Sequence, residues 1–70
     1  MEYIAVIERA SDGTYSAYVP DLPGCVTSGD TLKETQQLIE EAVSLHLESL
    51  RQHGERVPLP TTAVHAVPAA

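Results

Sequence analysis

The chain has 70 residues, enough for one small domain with a marginal core, because chains of this size bury only about 60% of the surface exposed on unfolding. Ten acidic and four basic residues give a formal charge of −6, which opposes binding to nucleic-acid phosphates and favours a basic partner protein. A single cysteine excludes an internal disulfide, and three widely spaced histidines lack zinc-site spacing. We therefore expect self-association to supply the stability that the small core lacks.

The composition also bears on location and cofactors. No apolar run approaches the roughly 20 residues of a membrane span, and the N-terminus lacks the basic region and cleavage site of a signal peptide. We therefore expect a cytoplasmic protein without membrane contact, a compartment in which an unpaired thiol is common. No residue pattern indicates a metal site or a cofactor site.

The first quarter of the chain predicts two antiparallel strands. Residues 3–9 (YIAVIER) are apolar at alternating positions on both faces up to Glu8, which favours a strand that is covered on both sides. Asp12 and Gly13 are predicted to take the positive φ angles of a tight hairpin turn. Residues 14–19 (TYSAYV) then return as the second strand.

A loop with two prolines follows. Pro20 ends the second strand because it cannot donate to a ladder, and Pro23 with Gly24 permits a second change of direction. Residues 25–28 (CVTS) predict a short third strand that ends at Gly29.

The helix signal is the strongest in the chain. Thr31 and Glu34 make a capping box, with Asp30 as the alternative N-cap, and Gly54 suits the position after the helix end. The apolar stripe is wide, which predicts a second contact surface such as a partner subunit. The stripe consists of Leu32, Ile39, Ala42, Val43, Leu47 and Leu50, with Leu38 and Leu45 on one shoulder.

The C-terminal segment changes character. Pro58 and Pro60 predict a stiff link, and residues 61–67 (TTAVHAV) alternate over enough length for one more strand at a sheet edge. The predicted order is β-β-β-α-β, an α+β fold with a three-stranded antiparallel meander, one amphipathic helix and a further C-terminal strand.

Candidate catalytic groups are few. Cys25 has no basic neighbour in sequence and is interpreted as a small core residue. His46 falls on the apolar stripe and is interpreted as a core or interface histidine bonded to backbone. Neither has the partner that nucleophilic or acid–base catalysis requires, so no catalytic residue is assigned.

The carboxylates allow two interpretations. Glu34, Glu41 and Glu48 form a ladder with a seven-residue period, which is either a solvated face or the surface that docks a basic partner. We take these three residues as the candidate partner-binding site. The glycine-containing stretch before the helix is interpreted as a turn plus a cap, because Asp30 lies where a bound phosphate would be.

The stretch "YSAYVPDLPGCVTSGDTLKETQQLIEEAVSLHLESLRQHGERVP" resembles the HicB-like antitoxin family. The shared features are an aromatic-containing strand, "PDLPGC", "GDT", a helix with "EA" and "HLE", and a proline-containing tail. The resemblance covers residues 1 to about 67. It implies a truncated ribonuclease-H-like fold, and a non-catalytic antitoxin of a type II toxin–antitoxin pair that binds and occludes a small HicA-like, mRNA-cleaving toxin.

Two further expectations accompany this resemblance. Many such antitoxins carry a C-terminal DNA-binding domain, whereas only about ten residues follow Pro60, so we expect residues 1–70 to be a single HicB-like domain without operator binding of its own. We also expect a homo-oligomer, a dimer or a tetramer.

Two alternatives stay open. The first is an orphan homo-oligomeric module that binds a protein or a ligand. The second is a residual metal-dependent nuclease that uses Glu8, Asp12 and Asp21, an idea motivated by fold analogy alone.

Overall fold

The computed structural model describes all 70 residues, which form a three-stranded sheet followed by one long helix. The strands are β1 (Val6–Arg9), β2 (Tyr15–Tyr18) and β3 (Val26–Gly29), and the helix is α1 (Leu32–Gln52). All strand pairs are antiparallel in the order β1-β2-β3, so β1 and β3 are the two edges. The predicted α+β arrangement of a meander and a helix is confirmed.

β1 is shorter than the predicted strand over residues 3–9. The first pair of the ladder joins Val6 to Tyr18. Beyond that pair the Val19 N–H donates to the Cys25 carbonyl at 3.1 Å, on the β3 side of the central strand, and Pro20 has no N–H to donate toward β1. The residues before Val6 therefore lie outside the strand.

The first hairpin is wider than the predicted two-residue turn. The Gly13 N–H donates to the Ala10 carbonyl at 3.0 Å, and the Ala10 N–H donates to the Thr14 carbonyl at 2.8 Å. Gly13 has φ +90°, but no residue other than glycine has a positive φ, so Asp12 does not take the predicted angle. The geometry is that of a three-residue loop with a bulge, in which only the last residue must be left-handed.

The loop between β2 and β3 provides much of the core. Its backbone is closed by Leu22 N–H donating to Val19 O and by Cys25 N–H donating to Leu22 O, both at 3.0 Å. These bonds turn Leu22 inward until it is 0% exposed, which makes it one of the two most deeply buried side chains. The five buried apolar residues are Ala17, Val19, Leu22, Cys25 and Ile39, and three of them come from this loop and its ends.

The helix starts very close to the end of β3. A Cβ added at Gly29 would lie 2.6 Å from Thr35 Oγ1 and 3.2 Å from the Thr35 nitrogen. Thr35 is fully buried, and its hydroxyl donates to the Thr31 carbonyl at 2.8 Å, so no polar atom is left unpaired there. Gly29 therefore permits the close approach of α1, in addition to ending the strand.

Both predicted helix ends are confirmed. The Glu34 N–H donates to Thr31 Oγ1 at 3.1 Å, which is the first bond of the capping box, although the reciprocal bond does not form. At the other end Gly54 has φ +66°, and the Glu55 N–H donates to the Leu50 carbonyl at 2.8 Å. The Gly54 N–H also donates to the carbonyl three residues before it. The two bonds together form a Schellman motif.

The predicted fifth element does not form within the chain. Residues 53–70 contain no strand, and no backbone–backbone hydrogen bond involves residues 56–70, here called the tail. The alternating pattern of residues 61–67 is thus present without a partner strand. The C-terminal strand and the ribonuclease-H-like topology that depends on it are not confirmed.

Candidate partner-binding surfaces

The acidic ladder lies on the side of α1 that faces away from the sheet. Glu34, Glu41 and Glu48 are all exposed, and they follow one line along the helix because seven residues make nearly two turns. The opposite side carries the buried Thr35 and Ile39. At 1.5 Å per residue the three carboxylates span about 21 Å. The structure thus places the three predicted site residues on one continuous surface.

One apolar side chain belongs to the same surface. Leu45 is 66% exposed and lies between Glu41 and Glu48, one turn from each. An exposed leucine flanked by carboxylates can contribute buried contact area while the charges orient a basic partner. We call Glu34, Glu41, Leu45 and Glu48 the acidic face.

The one helix of the chain, α1, lacks the apolar length that a membrane-spanning helix needs.

A second surface is an open groove between β1 and α1. The helix packs chiefly over β3 and β2 and least over β1, so the inner side of the β1 edge is not fully covered. Two connected depressions of about 340 and 490 Å³ run along this edge and share the side chains of Tyr3, Ala5, Ile39 and Glu40. We call this the β1 groove; its apolar walls are Tyr3, Ala5 and Ile7 on one side and Ile39, Val43 and Leu47 on the other.

Asp21 holds the tail against the β2–β3 loop. Its carboxylate accepts bonds from the Thr61 hydroxyl at 2.8 Å, from the Thr61 N–H at 3.1 Å and from the Thr62 N–H at 3.1 Å. The bond from the Thr61 hydroxyl is the main reason that the pKa of Asp21 is lowered from 3.8. The sequence gives no sign of this contact, because its partners are separated by about 40 residues and share no motif.

The carboxylates of the nuclease alternative are not brought together. Asp12 accepts bonds from the Thr14 hydroxyl at 2.7 Å and its N–H at 3.0 Å, and these bonds lower its pKa from 3.8. Asp21 is engaged with the tail, and Glu8 lies exposed on β1. No group of three or more His, Cys, Asp or Glu side chains is placed to hold a metal ion. The structure therefore offers this alternative no support.

The remaining reactive groups lie in the body of the fold. Cys25 is buried, and burial raises the pKa of its thiol, which agrees with its interpretation as a core residue. His46 is half-buried on α1, and its ring makes no hydrogen bond within the chain, so the expected bond to backbone does not form.

Comparison with known proteins identifies one family. The family described as HicB-like antitoxin of bacterial toxin-antitoxin system matches residues 3–69. A UPF0150 protein of Thermoplasma acidophilum is 45% identical over 58 residues, which are 83% of this chain and 84% of that protein. Antitoxin HicB 1 of Photorhabdus laumondii is 32% identical over 60 residues, which are 86% of this chain and 39% of that protein.

A solved structure shares the fold. The crystal structure of the N-terminal domain of the Burkholderia pseudomallei antitoxin HicB matches with a TM-score of 0.79 at 28% sequence identity. The match covers 90% of this chain and 74% of that one.

Proposed function

Because this chain belongs to the HicB-like antitoxin family, we propose that it is the antitoxin of a type II pair and that it binds and occludes a small HicA-like, mRNA-cleaving toxin. The match to that family over residues 3–69 is the observation that carries the proposal. The role is one of binding, without catalysis by the antitoxin. It is exercised in the cytoplasm, where the mRNA substrate of such a toxin is found.

The acidic face is the surface we propose for the toxin. A protein that cleaves RNA needs positive potential to hold a phosphate backbone, and an acidic protein is attracted to that surface. The carboxylates of Glu34, Glu41 and Glu48 would accelerate the encounter, and Leu45 would be buried once the complex has formed. Charge then determines mainly the association rate, whereas the buried leucine determines how long the complex lasts.

The same charge argues against an RNA-binding or DNA-binding role for these 70 residues by themselves. At a formal charge of −6 the chain repels phosphate backbones. We propose that residues 1–70 act as one HicB-like domain with a truncated ribonuclease-H-like topology, which a further strand would complete. We also propose that the domain works as a homo-oligomer.

Co-expression with the toxin encoded beside this gene tests the function. The expected result is restored growth and a purified complex of the two proteins. If the cells stay arrested and no complex is recovered, the chain is not the antitoxin of that toxin.

Paired charge reversals test the surface. The double variant Glu41→Lys, Glu48→Lys is matched by Glu2→Lys, Glu55→Lys, which changes the net charge equally at exposed positions away from the acidic face. Glu34 is left in place because it lies in the first turn of α1, where a negative charge stabilises the helix. We expect the first pair to slow association with the toxin by about tenfold, measured at low salt, and the matched pair to change it less. Equal slowing by both pairs would show that the effect comes from overall charge and not from this face.

A further inference from the structure

The edge strand β3 leaves backbone hydrogen-bonding groups without partners. The Val19 N–H donates to the Cys25 carbonyl at 3.1 Å, so these two residues form a hydrogen-bonded pair of the β2–β3 ladder. Because bonded and non-bonded pairs alternate along antiparallel strands, Val26 and Ser28 occupy non-bonded positions opposite β2. Their N–H and C=O groups therefore point outward from the sheet edge, and no bond of a turn, loop or cap involves them.

The side of α1 nearest this edge carries two leucines. At about 100° per residue, Leu38 and Leu45 lie on the same side of the helix as Thr35. Thr35 adjoins β3, since a Cβ added at Gly29 would lie 2.6 Å from its hydroxyl oxygen. Leu38 is half-buried and Leu45 is 66% exposed, and neither lines the β1 groove on the opposite side. The free edge of β3 is thus accompanied by an incompletely covered apolar strip.

The acidic ladder borders this strip. Leu38 is within four residues of both Glu34 and Glu41, and Leu45 is within four residues of both Glu41 and Glu48. Residues three and four apart are neighbours on the surface of a helix. Each leucine therefore has two exposed carboxylates beside it.

The basic residues of α1 lie on its other side. Lys33 lines one of the two depressions of the β1 groove. Arg51 lies in line with Lys33, because the 18 residues between their positions make about five full turns. The side of α1 beside β3 is therefore the more negative of the two.

We propose that an extended, basic segment of the toxin pairs with β3 as an added strand and packs against Leu38 and Leu45. This inference rests on the proposed antitoxin function and specifies how the complex forms. The added strand would bond to the outward groups of Val26 and Ser28, as in other cases of strand addition to a sheet edge. β3 spans about 13 Å, and the two leucines lie about 10 Å apart along α1, so one short strand can contact both.

Charge selects this occupant. Lys or Arg side chains of the added strand would reach the ladder carboxylates, and an RNA-cleaving protein provides such side chains. Two copies of this chain paired through β3 would instead bring two acidic ladders together, which opposes association. The tail has no Asp, Glu, Lys or Arg from residue 57 onward, and the bond between Tyr3 and Pro58 holds its start near the β1 groove.

Amide hydrogen exchange of the full chain, followed by NMR with and without the toxin encoded beside this gene, tests the contact directly. In the complex we expect exchange at Val26 and Ser28 to slow by about 100-fold or more, because both amides become bonded. The Arg9 amide, which points outward at the opposite edge of the sheet, should keep its rate. A complex with unchanged exchange at Val26 and Ser28 would overturn this inference and leave the antitoxin function standing. Failure to form any complex would overturn both.

A pair of variants separates the backbone bond from the side chain. Val26→Pro removes the outward N–H, and proline is tolerated in an edge strand where that N–H faces solvent, so the circular dichroism spectrum should stay native. We expect it to raise the dissociation constant for the toxin by about tenfold or more. Val26→Thr, the matched control, keeps the N–H and the branched shape and should change the constant by less than about threefold.

Equal affinities of folded Val26→Pro and Val26→Thr for the toxin would overturn the proposed strand pairing. The exchange measurement uses the unaltered chain, so it decides the question even if Val26→Pro does not fold.

Discussion

The body of the molecule, residues 1–55, and the tail, residues 56–70, differ in where their backbone finds its partners. Every strand of the body pairs with a neighbouring strand of the same chain, and α1 is capped at Thr31 and ends in the Schellman motif at Gly54. The tail has no backbone–backbone bonds, and its hydrogen bonds to the body run through the side chains of Asp21 and Tyr3.

The difference has a simple physical origin. A helix satisfies its own N–H and C=O groups within four residues, so its local sequence is enough to form it once one face is buried. A strand depends on a neighbouring edge that lies elsewhere in the chain or in another molecule. α1 therefore forms where its signals predict it, while residues 61–67 have a strand pattern and no strand.

The largest expected effect is the difference in unfolding free energy between truncating a buried leucine of the body and truncating an exposed leucine of the tail. Leu22→Ala should lower the free energy of unfolding by about 2–5 kcal/mol, because it removes a fully buried side chain and leaves a cavity. Leu59→Ala, at an exposed position of the tail, should change it by less than about 0.5 kcal/mol. Urea unfolding followed by circular dichroism measures both. Similar losses in the two variants would mean that Leu59 is buried in solution.

The contact between β3 and α1 is the next test of the body. Gly29→Ala should cost about 1–3 kcal/mol of unfolding free energy, because the added Cβ would lie 2.6 Å from Thr35 Oγ1. The double variant with Thr35→Ala removes that oxygen and should cost less than the sum of the two single variants. Strict additivity in a double-mutant cycle would show that the close approach is not the cause.

Loss of the hydrogen bonds between Asp21 and the tail, here called the tether, should change the free energy of unfolding least. It should, however, lower the protection against hydrogen exchange locally. Asp21→Ala removes the acceptor of the Thr61 and Thr62 N–H groups, so their hydrogen exchange should accelerate. Asp12→Ala is the matched control, since it removes a carboxylate that bonds only within the first hairpin. It should accelerate exchange at Thr14 and leave the tail unchanged.

The same tether predicts a pH dependence. The pKa of Asp21 in the folded chain is below 3.8, so the tether contributes at higher pH and is lost as the pH falls through the lowered pKa. The amide chemical shifts of Thr61 and Thr62 should therefore follow a titration whose midpoint lies below 3.8. A midpoint above 3.8 would contradict the bonds to the ionised carboxylate.

The sequence contains the local features of the fold, and most of them could be predicted. Thr31 and Gly54 mark the ends of α1 because caps depend on neighbouring residues only. The three-residue form of the hairpin turn, the early end of the ladder at Tyr18 and the missing fifth element were not predicted. The bonds of the hairpin are local, whereas the other two features depend on which distant N–H or C=O group is available.

Of the candidate surfaces, the acidic face could be predicted from the sequence and the others could not. The line of Glu34, Glu41 and Glu48 follows from helical periodicity, and the structure places all three on an exposed face. The β1 groove and the tether at Asp21 could not be predicted, since each joins segments that are far apart in the chain. The burial of Leu22 depends likewise on the closed loop around it.

The most direct test of the proposed function is inhibition of the toxin's RNA cleavage by the purified chain. The toxin encoded beside this gene is incubated with RNA and with increasing amounts of the chain, and cleavage is followed by gel electrophoresis. We expect cleavage to stop when the chain reaches the stoichiometry of the complex, and the Glu41→Lys, Glu48→Lys variant to require more protein. Undiminished cleavage in the presence of excess folded chain would contradict the antitoxin role.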